Sequence, residues 1–437
     1  MRSSVRFLGA LAAVAVGAAL FAVAFRAGVA GWYRSIFGED NVVAVMARLP
    51  WWLRLAVPTA GGFAAGLMAR WRKGTQGVSN VMEAVVLGNV ALSLRTTLSR
   101  VSASAVAIAC GMSVGREGPL IEFGGSLGAG IGRRMAISLD QTRVLVAAGT
   151  AAGFAAAYNT PFAAVLFVFE TIIGIATPAA LLPTMGATVV AAMITRAIVG
   201  AGPIYGQRAF DVHAYADLVW ILILGALAAL AAAAFKEILK QTEGLAERAF
   251  LVQPWRAAAG GLAVGILAVW LPEVAGNGYE PLNQILDHRF LMATILALLL
   301  AKILATSASV ASGVPGGIFT PMLLTGAATG TLFAHVIAMV SPSSLPDAGA
   351  YALVGMAATT AASIHAPLTA AVLVFELSGD YAIVVPLILA TAVSTSLSRA
   401  MGGESVYATE LRRRGVRWEL TLEGREIAQD DVSARRW

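Results

Sequence analysis

Gly115-Arg116-Glu117-Gly118-Pro119 is the segment of this sequence whose residue types best suit ligand chemistry. It places two charges between two mostly apolar runs, residues 103–114 and 120–132. Pro119 fits the first turn of a helix, and the glycines let backbone N–H groups approach a ligand closely. A helix that begins here directs its unpaired N–H groups and its positive dipole end at whatever lies beside Glu117. The segment therefore predicts an anion site in which a carboxylate competes with a dissolved anion.

The remainder of the chain is too apolar for a water-soluble domain. Its 437 residues are 58% hydrophobic and 13% charged, and the mean hydropathy is +0.76. Uncharged runs reach the length of about 20 residues that crosses a hydrocarbon core. They cover residues 7–25, 144–169, 171–195, 218–235, 303–346 and 348–375. We predict an all-α polytopic protein that crosses the lipid bilayer many times.

Charge and metal-binding residues exclude several other classes of protein. The net charge is +6, but the basic clusters stand at the ends of apolar segments, so we predict no nucleic-acid partner. Short basic loops such as residues 70–73 indicate the cytoplasmic side, which places both termini in the cytoplasm beneath a cell (inner) membrane. Arg2 and Arg6 also allow a signal peptide, although the long run after them favours a membrane helix. One cysteine and four scattered histidines predict no disulfide, metal or cofactor.

Several local patterns describe how the membrane segments are built. Residues 74–100 read as one amphipathic helix rather than as a clean span. Apolar runs of about 10–14 residues nearby are too short for full crossings, which indicates broken or re-entrant helices. Gly124, Gly128 and Gly132 recur at a four-residue spacing that is typical of a close helix–helix contact.

The second half of the chain repeats the first. Residues 155–170 align without a gap with residues 361–376, and both stretches contain a proline and end in Val-Phe-Glu. Gly149 and Gly355 precede them at the same offset, and the counterpart of the opening motif is residues 317–321. We predict repeats at about residues 30–200 and 217–400, within a transmembrane domain of residues 1–401 that a short cytoplasmic tail, residues 402–437, follows. Such repeats often bracket a site near mid-membrane.

Together these motifs resemble the signature of the CLC family, which comprises dimeric chloride channels and chloride/proton antiporters. The resemblance extends from about residue 30 to residue 411, with the motifs in the family's order, and it is to the bacterial type without cytosolic CBS domains. It implies two inverted repeats of tilted, broken and re-entrant helices in each subunit of a homodimer. It also implies that chloride or another small anion, and protons, are what the protein carries.

The resemblance implies roles for individual residues. Glu117 matches the family's external gating glutamate, and Tyr407 matches the tyrosine whose hydroxyl faces the central anion. Backbone amides near four positions match the anion ligands: Arg116, Gly118, Ile318 and Phe319. Independently of the family, an ionised glutamate near mid-membrane costs about 2.5–3.5 kcal/mol or more unless it is satisfied, which makes Glu117 a functional candidate. The plainer alternatives are a glutamate in an interfacial loop and a tyrosine that anchors the interface.

Two departures from the family's pattern bear on what is carried. Residues 76–80 match the first anion motif, but Ser79 replaces its proline and Gln76 stands where many members have serine. A carboxamide has two N–H donors and can still face an anion, so the preference for chloride is left open. Thr171 stands where antiporters commonly have an internal proton-passing glutamate. Glu170 is the alternative on that route, but a structural role is favoured for it and for Glu376 because both repeats carry this residue.

The sequence thus favours chloride/proton antiport in which Glu117 blocks the path when ionised and leaves it when protonated. A passive CLC-type anion channel is the first alternative, and Thr171 is the feature in its favour. An exchanger selective for another small anion is the second. An intramembrane enzyme that uses Glu117 with Glu170 or Glu376 lacks an accompanying nucleophile or metal cluster, so we predict that the protein is not an enzyme.

Overall fold

A computed structural model describes residues 2–39, 41–70, 77–87, 92–206, 215–249, 251–341, 347–416, 418–421 and 424–427. In the first half the helices are α1 (Arg2–Phe37), α2 (Val42–Arg48), α3 (Trp51–Arg70), α4 (Val78–Leu87), α5 (Leu94–Ala109), α6 (Glu117–Arg134), α7 (Leu139–Tyr158), α8 (Pro161–Phe167) and α9 (Pro178–Val199). In the second half they are α10 (Tyr215–Arg248), α11 (Trp255–Trp270), α12 (Tyr279–Leu286), α13 (Met292–Ala311), α14 (Phe319–Val340), α15 (Ala348–Ile364), α16 (Pro367–Ser378), α17 (Val384–Ala400) and α18 (Val406–Arg413). A π-helical turn (Val168–Ile173), a 3-10 turn (Pro272–Val274) and an antiparallel hairpin of β1 (Trp418–Thr421) and β2 (Gly424–Ile427) complete the described elements.

The prediction of an all-α polytopic membrane fold is confirmed. Five helical stretches of the described chain are long and apolar enough to cross a bilayer: Ser4–Arg48, Pro178–Val199, Leu218–Arg248, Met292–Ala311 and Phe319–Val340. Shorter apolar helices such as α8, α11, α15, α16 and α17 accompany them. The only strands among the described residues form the short hairpin after α18, outside the helical body.

Two of the uncharged runs contain two helices each, and for the first of them the sequence itself indicates separate helices over residues 143–157 and 161–175. The run over residues 144–169 is interrupted at Asn159, which adopts a left-handed backbone (φ +58°), and at Pro161, which begins α8. The run over residues 348–375 is interrupted in the same way at His365 (φ +56°) and Pro367. A left-handed residue ends one helix and a proline two residues later starts the next, which composition alone does not reveal.

The single amphipathic helix expected over residues 74–100 is also wrong. Within that stretch α4 ends at Leu87, and α5 begins at Leu94 with the Ser93 side chain accepting a hydrogen bond from the Thr96 N–H. Serine favours such helix starts because its hydroxyl satisfies one of the first free N–H groups. The consequence is that α4 is a short helix with its own amino terminus, close to the anion motif at residues 76–80.

The two repeats pack their equivalent helices through equivalent glycines. A Cβ on Gly124 of α6 would lie closer than 3.0 Å to the Gly149 carbonyl of α7, and a Cβ on Gly326 of α14 would do the same to the Gly355 carbonyl of α15. The close helix–helix contact predicted from the glycine spacing is therefore present in both halves. Without side chains at these crossings, the backbones approach closely enough to fix how α6 and α14 are directed.

Candidate functional site

Residues 115–119 and their counterpart, residues 317–321, meet inside the helical body. Gly115 and Gly317 exchange a pair of backbone hydrogen bonds, with N···O distances of 2.6 and 2.7 Å, as an isolated antiparallel bridge. Gly118 faces the same place, since a Cβ on it would be 3.3 Å from the Gly317 Cα. The glycines of both motifs are required here because the two loops touch backbone to backbone.

Two long helices begin on either side of this bridge. The 18-residue α6 starts at Glu117 after Arg116, and the 22-residue α14 starts at Phe319 after Ile318. Neither preceding residue caps its helix with a side-chain hydrogen bond. Both helices therefore present first-turn N–H groups and the positive ends of their dipoles to the space between them, which is the arrangement that binds anions.

Glu117 lies between these helix ends, with its side chain buried. Its Oε1 accepts a hydrogen bond from the hydroxyl of Thr320, which belongs to the other repeat. Its Oε2 has no hydrogen-bond partner within the described part of the chain. No ion pair joins Arg116 to Glu117 among the described residues, as expected for neighbours on a helix that face different ways. A carboxylate with one oxygen held and one free is suited to a group that changes position.

Glu117 lines a cavity of about 580 Å³. Ile318, Phe319 and Tyr407 line it together with Gly118. Tyr407 comes from α18, which follows α17 in the chain, and its side chain is buried. The structure thus brings Glu117, Ile318, Phe319 and Tyr407, which the sequence singles out, to one cavity.

A chain of aromatic contacts connects the start of α14 with α18. The ring centroids of Phe319 and Phe167 are 6.4 Å apart, and those of Phe167 and Tyr407 are also 6.4 Å apart. The Phe154 and Tyr158 rings pack against Phe319 at 5.6 and 5.7 Å. This cluster is buried and packs around Phe319, the first residue of α14.

Charged side chains of both signs also line this cavity. The cations are Arg100, Lys236, Lys240, Arg256, Arg413 and Arg414, and the carboxylates are Glu122, Glu243, Glu247 and Glu410. Lys236 is held in place by hydrogen bonds to the Ala362 carbonyl and the Ser398 hydroxyl. Fixed cations that line a cavity attract small anions, and the carboxylates among them reduce the positive electrostatic potential.

Glu122 is a buried carboxylate that sequence reasoning missed. It accepts hydrogen bonds from the Gly77 N–H (2.9 Å), the Asn80 amide (3.0 Å) and the Arg100 guanidinium (2.8 Å). Gly77 and Asn80 belong to the first anion motif, so Glu122 ties that motif to α5 and α6. The available signal was a second acid five residues after Glu117 within an apolar helix, together with an arginine in the helix before it.

The departure at Ser79 has a structural use. The Ser79 hydroxyl donates to Glu410 Oε2 at 2.7 Å, and Arg414 donates to the Asn80 side-chain oxygen at 2.9 Å. These bonds join the start of α4 to α18, which carries Tyr407. A proline at residue 79 would lack the hydroxyl and could not make the first of them. Gln76, the other departure, lies outside the described residues.

Glu170 and Glu376 bind each other's helix starts. Glu170, in the π-helical turn after α8, accepts hydrogen bonds from the Leu368 and Thr369 N–H groups of α16 (3.1 and 2.6 Å). Glu376, in α16, accepts them from the Phe162 and Ala163 N–H groups of α8 (3.2 and 2.8 Å). Each carboxylate therefore caps a helix of the opposite repeat, as acidic groups at helix amino termini do.

Thr171 is buried beside this pair of caps. Its hydroxyl has no hydrogen-bond partner within the described residues. Glu170, the only acid next to it in sequence, is already engaged at the start of α16. The geometry therefore supports the structural role that the repeat comparison favours for Glu170 and Glu376.

Comparisons with known proteins agree with this architecture. Residues 60–399 match the protein family described as voltage gated chloride channel. A ClcB-like chloride channel protein of Ralstonia nicotianae is 38% identical over 86% of this chain and 89% of its own length. The voltage-gated ClC-type chloride channel ClcB of Citrobacter koseri is 32% identical over 92% of this chain and 96% of its own length.

Solved structures share the fold. The structure of a slow cyanobacterial Cl⁻/H⁺ antiporter superposes with a TM-score of 0.83 at 25% identity and covers 94% of this chain and 98% of its own. A CLC-type fluoride/proton antiporter superposes with a TM-score of 0.71 at 20% identity, covering 92% and 97%. This chain belongs to the CLC family of chloride channels and transporters.

Proposed function

We propose that the protein is a chloride/proton antiporter in which Glu117 is the group that anion and proton share. The observation that carries the proposal is the position of its carboxylate: between the first turns of α6 and α14, at the head of the cavity that reaches Phe319 and Tyr407. The ClcB relatives named as chloride channels and the neighbour described as a Cl⁻/H⁺ antiporter support the same substrates.

In the proposed cycle, ionised Glu117 occupies the anion seat and blocks it. Its charge is stabilised there by the Thr320 hydroxyl and by the positive ends of the two helices. A proton that reaches the carboxylate removes that charge, and the neutral side chain then leaves the seat to an anion. When the proton departs, the carboxylate returns and displaces the anion. Anion and proton movements are coupled because both depend on the same side chain.

The anion ligands in this proposal are backbone N–H groups near Arg116, Gly118, Ile318 and Phe319, with the Tyr407 hydroxyl below them. Neutral and partial-charge donors suit transport because they bind an anion strongly enough to strip its water and weakly enough to release it. Gln76 completes the set if its carboxamide faces the cavity, and Gly77, the next residue, lines that cavity. The buried bonds of Glu122 to Gly77 and Asn80 support a fixed position for this loop.

The passive channel is the competing function, and Thr171 is the observation in its favour. Neither Thr171 nor the engaged Glu170 offers a free acid on the internal side. A reversal potential measured under opposed chloride and pH gradients separates the two functions. A potential that moves with the pH gradient supports exchange, and one that follows chloride alone supports a channel.

The preferred anion is tested by the same reconstituted protein. Efflux from liposomes is measured with chloride, bromide, nitrate, fluoride and bicarbonate while protons are recorded simultaneously. The proposal expects chloride to drive proton movement. Proton movement with fluoride alone would instead indicate a fluoride/proton antiporter.

We also propose a homodimer in the cell (inner) membrane with both termini in the cytoplasm. Supporting it are α9 and α17, whose outer faces carry exposed large apolar side chains, among them Met193 and Val385. Phe162 and Leu368, at the starts of α8 and α16, are exposed on the same kind of surface. Cysteine pairs engineered along α9 and α17 are expected to cross-link two subunits, and cross-linking only to other proteins would contradict the dimer.

A further inference from the structure

A row of two hydroxyls leads from Glu117 into the protein core. The Tyr158 hydroxyl lies 3.0 Å from Thr320 Oγ1, and the Thr320 hydroxyl in turn bonds Glu117 Oε1. Glu117, Thr320 and Tyr158 are 1%, 2% and 3% exposed. Glu117 lines the anion cavity, whereas Thr320 and Tyr158 do not. The row therefore lies outside the cavity that Glu117 lines.

The direction of the hydrogen bonds in this row follows from the number of protons available. An ionised carboxylate can only accept, so Thr320 must donate to Glu117. A hydroxyl has a single proton, so Thr320 can only accept from Tyr158. Both donors therefore point toward the carboxylate. Hydrogen bonds aligned in this way strengthen one another, and a charged acceptor makes the last of them roughly twice as strong as a neutral one.

Tyr158 is held where it can serve no other acceptor. Its ring packs against Phe154 at 5.1 Å and Phe319 at 5.7 Å. Within the described residues, Thr320 is the one hydrogen-bond partner of its hydroxyl. The Tyr158 hydroxyl thus donates, in this part of the chain, only to Thr320, and Thr320 donates to Glu117. Any effect of the Tyr158 hydroxyl on the gate is therefore exerted through the Glu117 carboxylate.

We propose that Tyr158 is a positioning residue of the gate, which acts through Thr320 to stabilise ionised Glu117 in its path-blocking position. The inference rests on the gating role proposed for Glu117. It follows that Tyr158 sets the pH at which anions begin to flow. A neutral carboxyl group is a weaker hydrogen-bond acceptor than a carboxylate, so protonation of Glu117 at the free Oε2 leaves the bond from Thr320 in place but weakens it. The row therefore favours the closed, ionised state specifically.

Other groups near Glu117 stay unchanged when the Tyr158 hydroxyl is removed. Arg116 is the adjacent charge, and Tyr205 in the 203–206 turn and Tyr407 on α18 are neutral tyrosines within the range of the Glu117 charge. Glu410 faces Tyr407 on α18 itself. Because Tyr158→Phe keeps the ring and all of these groups, a change in pH dependence is attributable to the missing hydroxyl.

The test is chloride efflux from liposomes that contain full-length Tyr158→Phe, measured over a range of pH. Loss of the Tyr158 hydroxyl leaves the bond from Thr320 to Glu117 in place but removes the donor that strengthens it, so the ionised carboxylate is less stable and flux begins at higher pH. We expect the rising limb of the profile to move upward by up to about half a pH unit, because an aligned neighbour contributes roughly 10–30% of a charge-assisted hydrogen bond. At a fixed pH on that limb, flux rises by up to about threefold.

Four further variants show whether the shift is specific to this pair of hydroxyls. Tyr33→Phe removes another buried tyrosine hydroxyl, bonded to the Ile108 carbonyl at 2.9 Å, and is expected to leave the profile in place. Thr320→Val is expected to move it upward at least as far as Tyr158→Phe, and the double variant no further. Thr320→Ser keeps the central hydroxyl and is expected to keep the profile.

The outcomes that overturn the inference are distinct from those that overturn the antiport proposal. If Glu117→Gln abolishes the pH dependence while Tyr158→Phe and Thr320→Val leave it in place, Tyr158 has no positioning role. An equal shift in Tyr33→Phe, or full additivity in the double variant, has the same meaning. If Glu117→Gln itself keeps the pH dependence of the wild type, the gating role of Glu117 fails first.

Discussion

Gly115 and Gly317, one from each repeat, exchange both of their backbone hydrogen bonds at the centre of the protein. This bridge joins residues 115–119 to residues 317–321, two residues before α6 and α14 begin. As a result Glu117, at the start of α6, meets Thr320, in the first turn of α14. The site is therefore shared by the two repeats, and the stability of their contact is a condition for its function.

The glycine contacts behind the site give a first prediction. Gly124→Ala is expected to lower the free energy of unfolding by about 1–3 kcal/mol or to prevent folding, because the new Cβ meets the Gly149 backbone, which cannot move aside. Gly130→Ala in the same helix meets no atom within 4 Å and serves as the control. That variant is expected to be neutral or stabilising by about 0.5–1 kcal/mol. Thermal unfolding in detergent measures both, and equal midpoints would contradict the close contact.

The buried pair of Arg100 and Glu122 gives a second prediction. Arg100→Met leaves the Glu122 charge without its guanidinium and is expected to destabilise the protein by about 3–5 kcal/mol. Adding Glu122→Gln removes that charge and keeps one oxygen that can accept from either Gly77 or Asn80, so the double variant is expected to recover part of the loss. Unfolding midpoints of the two single variants and the double variant form the cycle. Strictly additive losses would show that the two side chains are not coupled.

The reciprocal caps give a third prediction. Glu170→Ala and Glu376→Ala are each expected to cost about 0.5–2 kcal/mol of stability, because two N–H groups of the opposite repeat's helix lose their acceptor. Glu170→Gln keeps one acceptor and is expected to retain the pH dependence of anion flux. A loss of proton movement in Glu170→Gln, with anion flux intact, would instead make Glu170 part of the proton route.

Tyr407 gives a fourth prediction, which concerns anion binding. Tyr407 lines the cavity, and Tyr407→Phe removes the hydroxyl that we propose binds the anion. A hydrogen bond to a charged partner contributes about 1.5–3 kcal/mol. We therefore expect chloride affinity, measured by calorimetry, to fall at least tenfold. The measurement is made in Glu117→Gln so that no carboxylate competes for the seat, and Tyr33→Phe in the same background is the control. Unchanged affinity would place the central anion away from Tyr407.

Much of this arrangement follows from local sequence. Pro119 and the glycines of residues 115–119 indicate where α6 begins, and the counterpart at residues 317–321 indicates that a second helix begins equivalently near Phe319. The glycine spacing at Gly124 predicts a close crossing, because a missing side chain is visible in a sequence. Pro161 likewise indicates where α8 begins, whereas hydropathy alone does not show that Asn159 ends the helix before it.

Contacts between distant segments could not be predicted. Thr320 and Tyr158 read as ordinary residues of apolar helices, and only the meeting of the repeats brings their hydroxyls behind Glu117. Ser79 reads as the loss of a proline, and its bond to Glu410 depends on how α18 folds back. Such pairings depend on tertiary packing, whereas helix starts and close crossings depend on the residues nearby.

Proton movement driven by a chloride gradient in liposomes tests the central claim most directly. In the wild type, the chloride gradient is expected to drive protons against their own concentration gradient. The side chain of Glu117→Gln can neither carry charge nor exchange a proton, so this variant is expected to pass chloride at all pH values and to move no protons. Proton movement that persists in Glu117→Gln would contradict the account.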